Sequence, residues 1–96
     1  MSPNSKKKLI KLRKSLDKLD NSFIKIIKKR TSLVKSVLKL KENKKEIVDK
    51  KRIKFILNQI KKKSIKNKID PKITNRIWKN MILSYIDYER RNFKKK

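Results

Sequence analysis

The residue best placed to do chemistry is an arginine standing where an aliphatic side chain belongs. Leu9, Leu12, Leu16, Leu19, Phe23, Ile26, Arg30, Leu33, Val37 and Leu40 alternate in steps of three and four. That is the repeat of an apolar helical seam. A charge in such a seam is costly unless it is paired or ligated. Snorkelling to solvent or pairing with an acid would each account for it. Acids are scarce, however, and none lies between Asp20 and Glu42. An arginine held there without a protein carboxylate is fitted to receive one from a ligand.

Other basic side chains extend the pattern. Lys41 follows Arg30 by 11 residues, about 16 Å along a helix and on nearly the same face. Two long cationic side chains at that spacing can hold opposite ends of a small dianion; a solvated surface lysine is the plainer reading of Lys41 alone. Arg13 precedes Arg30 by 17 residues, roughly 25 Å on one helix. It can share a small ligand with Arg30 only from an antiparallel partner chain. Six of the 33 basic residues are arginine, the side chain that grips carboxylates through a planar fork. Arg13, Arg30 and Arg52 stand singly at inward or near-seam helix positions, whereas Arg90 and Arg91 lie in a basic tail. Glu89, the last acid, follows Trp78, Ile82 and Tyr85 at steps of four, three and four. On that apolar face it either pairs with a cation or is pushed toward its neutral form by desolvation.

The missing residue types narrow the chemistry further. The chain has no Cys and no His. Disulfides and thiolate metal sites are excluded, and zinc or iron sites of the usual kind have no ligands. No Ser-His or Cys-His nucleophile pair can be built. The expected reaction needs no metal and no cofactor.

These side chains must be positioned by helices. Strand signals are absent, and after Pro3 no proline or glycine interrupts the chain before Pro71. Residues 1–5 read as a disordered tail ending in a cap. A first helix runs from about residue 6 to 42, and residues 42–48 form a polar connection. Asp49 caps a second helix carrying Ile53, Ile56, Leu57 and Ile60. Asp70-Pro71 opens a third helix carrying Ile73, Ile77, Trp78, Met81, Ile82, Tyr85 and Tyr88. Residues 6–93 make one helical domain, and residues 94–96 are a basic tail. The expected fold is therefore all-α, with three helices per chain. The first helix would span roughly 50 Å, against an expected radius of gyration of about 13 Å at 100 residues. A second copy of the chain is the expected cover for its far end.

The net charge of +25 has two readings. Clustered lysines neutralise phosphates, which would make the chain a basic helical nucleic-acid binder. Alternatively, an AT-rich genome writes Lys, Ile and Asn in place of Ala and Gly, both absent here. The lysines are spread along the whole chain and form no single stripe, which favours drift. Nor would nucleic-acid binding call for an arginine inside the seam, so a nucleic-acid partner is not expected. The longest apolar runs are triplets, far short of the 20 or so residues that span a bilayer. The expectation is a cytoplasmic protein with no membrane partner.

Taken jointly, these features resemble the all-α chorismate mutases. Leu12-Arg13-Lys14-Ser15-Leu16-Asp17-Lys18-Leu19-Asp20, then Ile26-Ile27-Lys28-Lys29-Arg30, then Lys41 resemble the first helix of that family. Asp49-x-x-Arg52 resembles the start of the second helix, and Tyr85-Ile86-Asp87-Tyr88-Glu89 the end of the third. No one motif is specific; the joint spacing over residues 9 to 93 is. The resemblance implies an intertwined homodimer with two active sites. Arg30, Lys41, Arg52 and Glu89 would come from one chain and Arg13 from the other. The substrate would be chorismate, rearranged pericyclically to prephenate for phenylalanine and tyrosine synthesis, with no covalent intermediate. Arg13 and Arg30 would grip its two carboxylates. Lys41 and Glu89 would donate hydrogen bonds to the ether oxygen. Asp49, Arg52, Ile53 and Tyr85 would line the substrate.

One position departs from the family pattern. Many members carry Glu directly after the second-helix arginine, where it helps hold the substrate hydroxyl. Here that position is Ile53. The related isochorismate pyruvate lyases share the fold, have an apolar residue there, and are the alternative. Their last-helix residue is Gln, whereas Glu89 is a variant known among mutases.

Overall fold

A chain without glycine and with prolines only at positions 3 and 71 meets few obstacles to helix propagation. The computed structural model describes residues 1–95, and among them every regular element is helical. Three α-helices follow in order: α1 (Pro3–Leu40), α2 (Lys50–Lys66) and α3 (Pro71–Asn92), with a short 3-10 turn at Lys44–Glu46. The all-α reading with three helices and a long first one holds.

Each helix start has a local cause. α1 begins at Pro3, inside the tail expected over residues 1–5. Ser2 Oγ accepts from the Ser5 N–H at 3.1 Å, and Pro3 lacks the donor that a first helical position leaves unpaired. α2 begins behind Asp49, whose carboxylate accepts from the Arg52 N–H at 3.0 Å. α3 begins behind Asp70, which accepts from the Lys72 N–H at 2.9 Å, with Pro71 at the first position. The two aspartate caps are those expected from the sequence.

The turn between α2 and α3 closes without the usual glycine. Lys68 adopts a left-handed backbone, φ 57°. The Ile69 N–H donates to the Ser64 carbonyl at 2.8 Å and the Lys68 N–H to the Ile65 carbonyl at 3.1 Å. This is the Schellman arrangement, with a lysine at the position where a side chain costs most.

The chain divides into two units, Met1–Leu33 and Val34–Lys96. The first is a stretch of α1 with no buried residue. Its seam is bare: Leu12, Leu16, Leu19, Phe23 and Ile26 are all exposed. In the second unit, the half-buried positions of α1 are Val34 and Leu38, followed by Lys41 just beyond it. They form a stripe one residue away from the seam, so the seam is not the face that the single chain covers.

In the second unit α2 packs against α3. Ile53, Ile56, Leu57 and Ile60 are half-buried, as are Trp78, Met81, Ile82 and Tyr85. Ile73 and Ile77, expected on the same inward face, are exposed. Near the turn, the Ser64 hydroxyl is buried and lies 2.6 Å from both the Thr74 hydroxyl and the Ile60 carbonyl. Small hydroxyl residues there let the helices approach while keeping each polar atom hydrogen-bonded.

Candidate active site

α1 ends at Leu40, and Lys41 is the first residue beyond it. The Lys41 N–H still donates to the Leu38 carbonyl at 3.1 Å, a last tightened turn. From there the ammonium reaches the far end of α3. Lys41 Nζ donates to Glu89 Oε1 at 2.8 Å, and the two side chains are 17% and 8% exposed. Glu89 is the one buried acid among the described residues. The pairing decides between the two alternatives for Glu89: it takes a cation, and that cation is Lys41.

A half-buried ion pair stands out in a chain whose other charges are mostly exposed. Moving charges out of water is expensive, and the mutual attraction of one pair repays it only partly. The chain has lysines in abundance at the surface to satisfy an acid there. Instead it holds one lysine and one glutamate together away from water, at the junction of α1 and α3. Both groups carry hydrogen-bonding capacity toward a small polar ligand.

Asp49, Arg52 and Ile53 lie at the start of α2. Asp49 is engaged as the helix cap described above. The Arg52 guanidinium lies over the Phe55 ring, 5.3 Å from its centroid, with both side chains exposed. A cation in the first turn opposes the helix dipole, and Arg52 shares that turn with Lys50 and Lys51. Ile53 is half-buried and supplies no polar group. Tyr85, one turn before Glu89 on α3, is half-buried as well.

Arg13 and Arg30 lie on α1 within the first unit, and both are exposed. Among the described residues no carboxylate forms an ion pair with either. Exposure also removes the cost expected of a charge inside a covered seam: in the single chain Arg30 and the neighbouring Ile26 and Leu33 all face solvent.

Two features of this region stand outside the sequence expectations. Residues 42–48 read as a polar connection, yet Ile47 is the buried hydrophobic residue of the described chain, at 4% exposure. A lone isoleucine among charged neighbours gives no periodic signal. The second feature is a capping box. Asn43 Oδ1 accepts from the Lys45 N–H at 3.1 Å, and Glu46 Oε2 accepts from the Asn43 N–H at 3.4 Å and the Glu42 N–H at 2.6 Å. Its signal is present in the sequence as Asn43-x-x-Glu46, the spacing of a capping box.

The family model for chorismate mutase type II matches residues 12–90. The chain belongs to that family. The match spans Arg13, Arg30, Lys41, Asp49, Arg52, Ile53, Tyr85 and Glu89. Comparison with curated proteins and with solved structures returns no match. Among the described residues of this family member, no helix is long and apolar enough to cross a membrane, and no cluster of acids is arranged to hold a metal ion.

Proposed function

We propose that the protein is a chorismate mutase that rearranges chorismate to prephenate in the synthesis of phenylalanine and tyrosine, acting as an intertwined homodimer in the cytoplasm. The observation that carries the reading is the Lys41–Glu89 pair, 2.8 Å apart and shielded from water, in a chain of the chorismate mutase family.

The rearrangement breaks a carbon–oxygen bond and makes a carbon–carbon bond in one concerted step. It needs no nucleophile, which suits a chain without His or Cys. What a protein can supply is a compact substrate conformation and donors aimed at developing charge. Arg30 of one chain and Arg13 of its partner would hold the two carboxylates of the dianion. Lys41 and Glu89 would meet the ether oxygen, which gains negative charge as its bond breaks. Arg52, Asp49, Ile53 and Tyr85 would line the remainder.

The dimer has independent support. The seam from Leu12 to Ile26 stays exposed in the single chain, a contiguous apolar stripe of the kind that marks an interaction surface. A second α1 running antiparallel would cover it and would bring its own Arg13 toward the first chain's Arg30. A two-fold arrangement generates two equivalent sites.

Glu89 can donate a hydrogen bond only in its protonated form, whereas in the structure its carboxylate accepts from Lys41. Glu89→Gln, which keeps a donor at this position, is expected to retain turnover that Glu89→Ala loses. Equal loss of turnover in the two variants would remove Glu89 from the donor role.

Ile53 favours a second reading, isochorismate pyruvate lyase activity on the same fold. Product analysis separates the two. Prephenate from chorismate supports the mutase. Salicylate and pyruvate from isochorismate, with little prephenate from chorismate, would move the assignment to the lyase. If neither substrate is turned over by folded dimer, only the fold is shared.

A further inference from the structure

We propose that Glu46 is a positioning residue for Lys41, acting through the backbone that carries the lysine. The catalytic consequence rests on the mutase reading above; the effect on Lys41 itself does not.

Lys41 stands where helical support ends. Beyond its hydrogen bond to Leu38, the next two residues, Glu42 and Asn43, lie in no helix. Glu46 supplies the missing restraint. Its Oε2 accepts from the N–H of Glu42 at 2.6 Å and from the N–H of Asn43 at 3.4 Å. The Asn43 side chain in turn accepts from the Lys45 N–H, closing the box. The next residue, Ile47, is buried at 4% exposure and pins the far side of the loop. The peptide after Lys41 is thus held between a helix end and a buried anchor, with one carboxylate tying the two together.

The choice of partner is informative. Lys44 and Lys45 sit beside Glu46 in sequence, but among the described residues its carboxylate forms no ion pair with a lysine. It is directed at backbone N–H groups. Charge-assisted bonds of that kind are about twice as strong as neutral ones. A lysine reaching a buried partner through four methylenes magnifies small rotations at its Cα, and misplacement by about 1 Å can cost a site a large part of its rate. Glu46 itself is exposed, so its loss should release the loop without unfolding the chain.

The test uses the full chain and the variants Glu46→Ala and Glu46→Gln, each also made in a Lys41→Ala background. Two readouts are taken: the rate at which acetic anhydride modifies Lys41, resolved by peptide mass spectrometry against the exposed lysines, and kcat and KM for chorismate. Glu46→Ala is expected to raise Lys41 modification about threefold or more and to lower kcat more than it raises KM, as loss of a geometric restraint should. Glu46→Gln keeps an oxygen acceptor and restores most of both. In the Lys41→Ala background the same change has little further effect on kcat. Unchanged Lys41 modification in Glu46→Ala overturns the proposal. So does an equal fold-loss in kcat in both backgrounds. If the wild type does not turn over chorismate while Lys41 modification still rises, the mutase reading falls and the positioning of Lys41 stands. Should Glu46→Ala fail to fold, Glu46→Asp, one methylene too short to reach both N–H groups, is judged by the same criteria.

Discussion

Residues 1–33 and 34–96 draw on the same vocabulary of lysine and aliphatic side chains and use it in opposite ways. In the first region the apolar side chains form a long regular stripe, and Leu19 is 65% exposed. In the second region the apolar pattern is less regular, but the chain folds on itself. All three buried residues of the described chain, Ile47, Ser64 and Glu89, belong to it. The first region has its ordering in sequence and lacks a surface to bury against. The second makes its own surface and includes polar groups in it. The contrast teaches that regular periodicity measures the fitness of a helix for a partner, while irregular positions mark where one chain closes.

The contrast can be broken or sharpened in several ways. The largest effect should come from the second region's buried pair. Lys41→Ala is expected to lower kcat for chorismate by about 10²–10³-fold, the usual cost of removing one donor to a developing oxyanion. Arg13→Ala should be comparably inactive alone. Mixing the two inactive variants after joint refolding should restore about a quarter of wild-type activity, since half the dimers would be hybrids with one intact site each. No recovery on mixing would place Arg13 outside the shared site.

Next in size is the fate of the bare stripe. Phe23→Asp puts a charge into the seam and is expected to turn a dimer into a monomer in sedimentation equilibrium, with loss of turnover. A wild type that sediments as a monomer would end the interpretation of that stripe as a self-association surface.

A smaller, local effect is expected at Ile47. Ile47→Ala should cost about 2–4 kcal/mol in denaturant unfolding, as for other buried aliphatic truncations. The same truncation at Leu16 should cost little in any monomeric form and become costly only in the dimer. Equal costs at Ile47 and Leu16 in a monomer would erase the contrast. The smallest effect is at the α2–α3 turn. Lys68→Gly relieves a left-handed lysine and should raise stability by about 1 kcal/mol, read as a higher Tm.

Much of the candidate site is legible in the amino-acid sequence. Arg30 is singled out by interrupting an apolar seam and Glu89 by standing on an apolar face, and of the two only Glu89 is buried. Asp49 and Asp70-Pro71 mark two helix starts through capping chemistry, which depends only on local residues. Ile53 is visible as a departure from the family pattern, and it remains half-buried and apolar in the fold. The loop after Lys41 is less legible. Its anchor is one isoleucine and its clamp is a short box, too brief to form a period. The tail expected over residues 1–5 is too long because Ser2 and Pro3 each have a plain reading as tail residues, and only together do they start a helix.

By itself the sequence determined the helical class, the helix caps, the charge, and the absence of thiol and imidazole chemistry. All of these follow from residue type and near-neighbour spacing, which the chain carries in any conformation. The tertiary structure decided which stripe of α1 the single chain covers and that Ile47 closes the loop. It also decided which of 27 lysines meets Glu89. The last of these depends on residues 48 positions apart arriving at one place, and a lysine carries no local mark of the partner it will find.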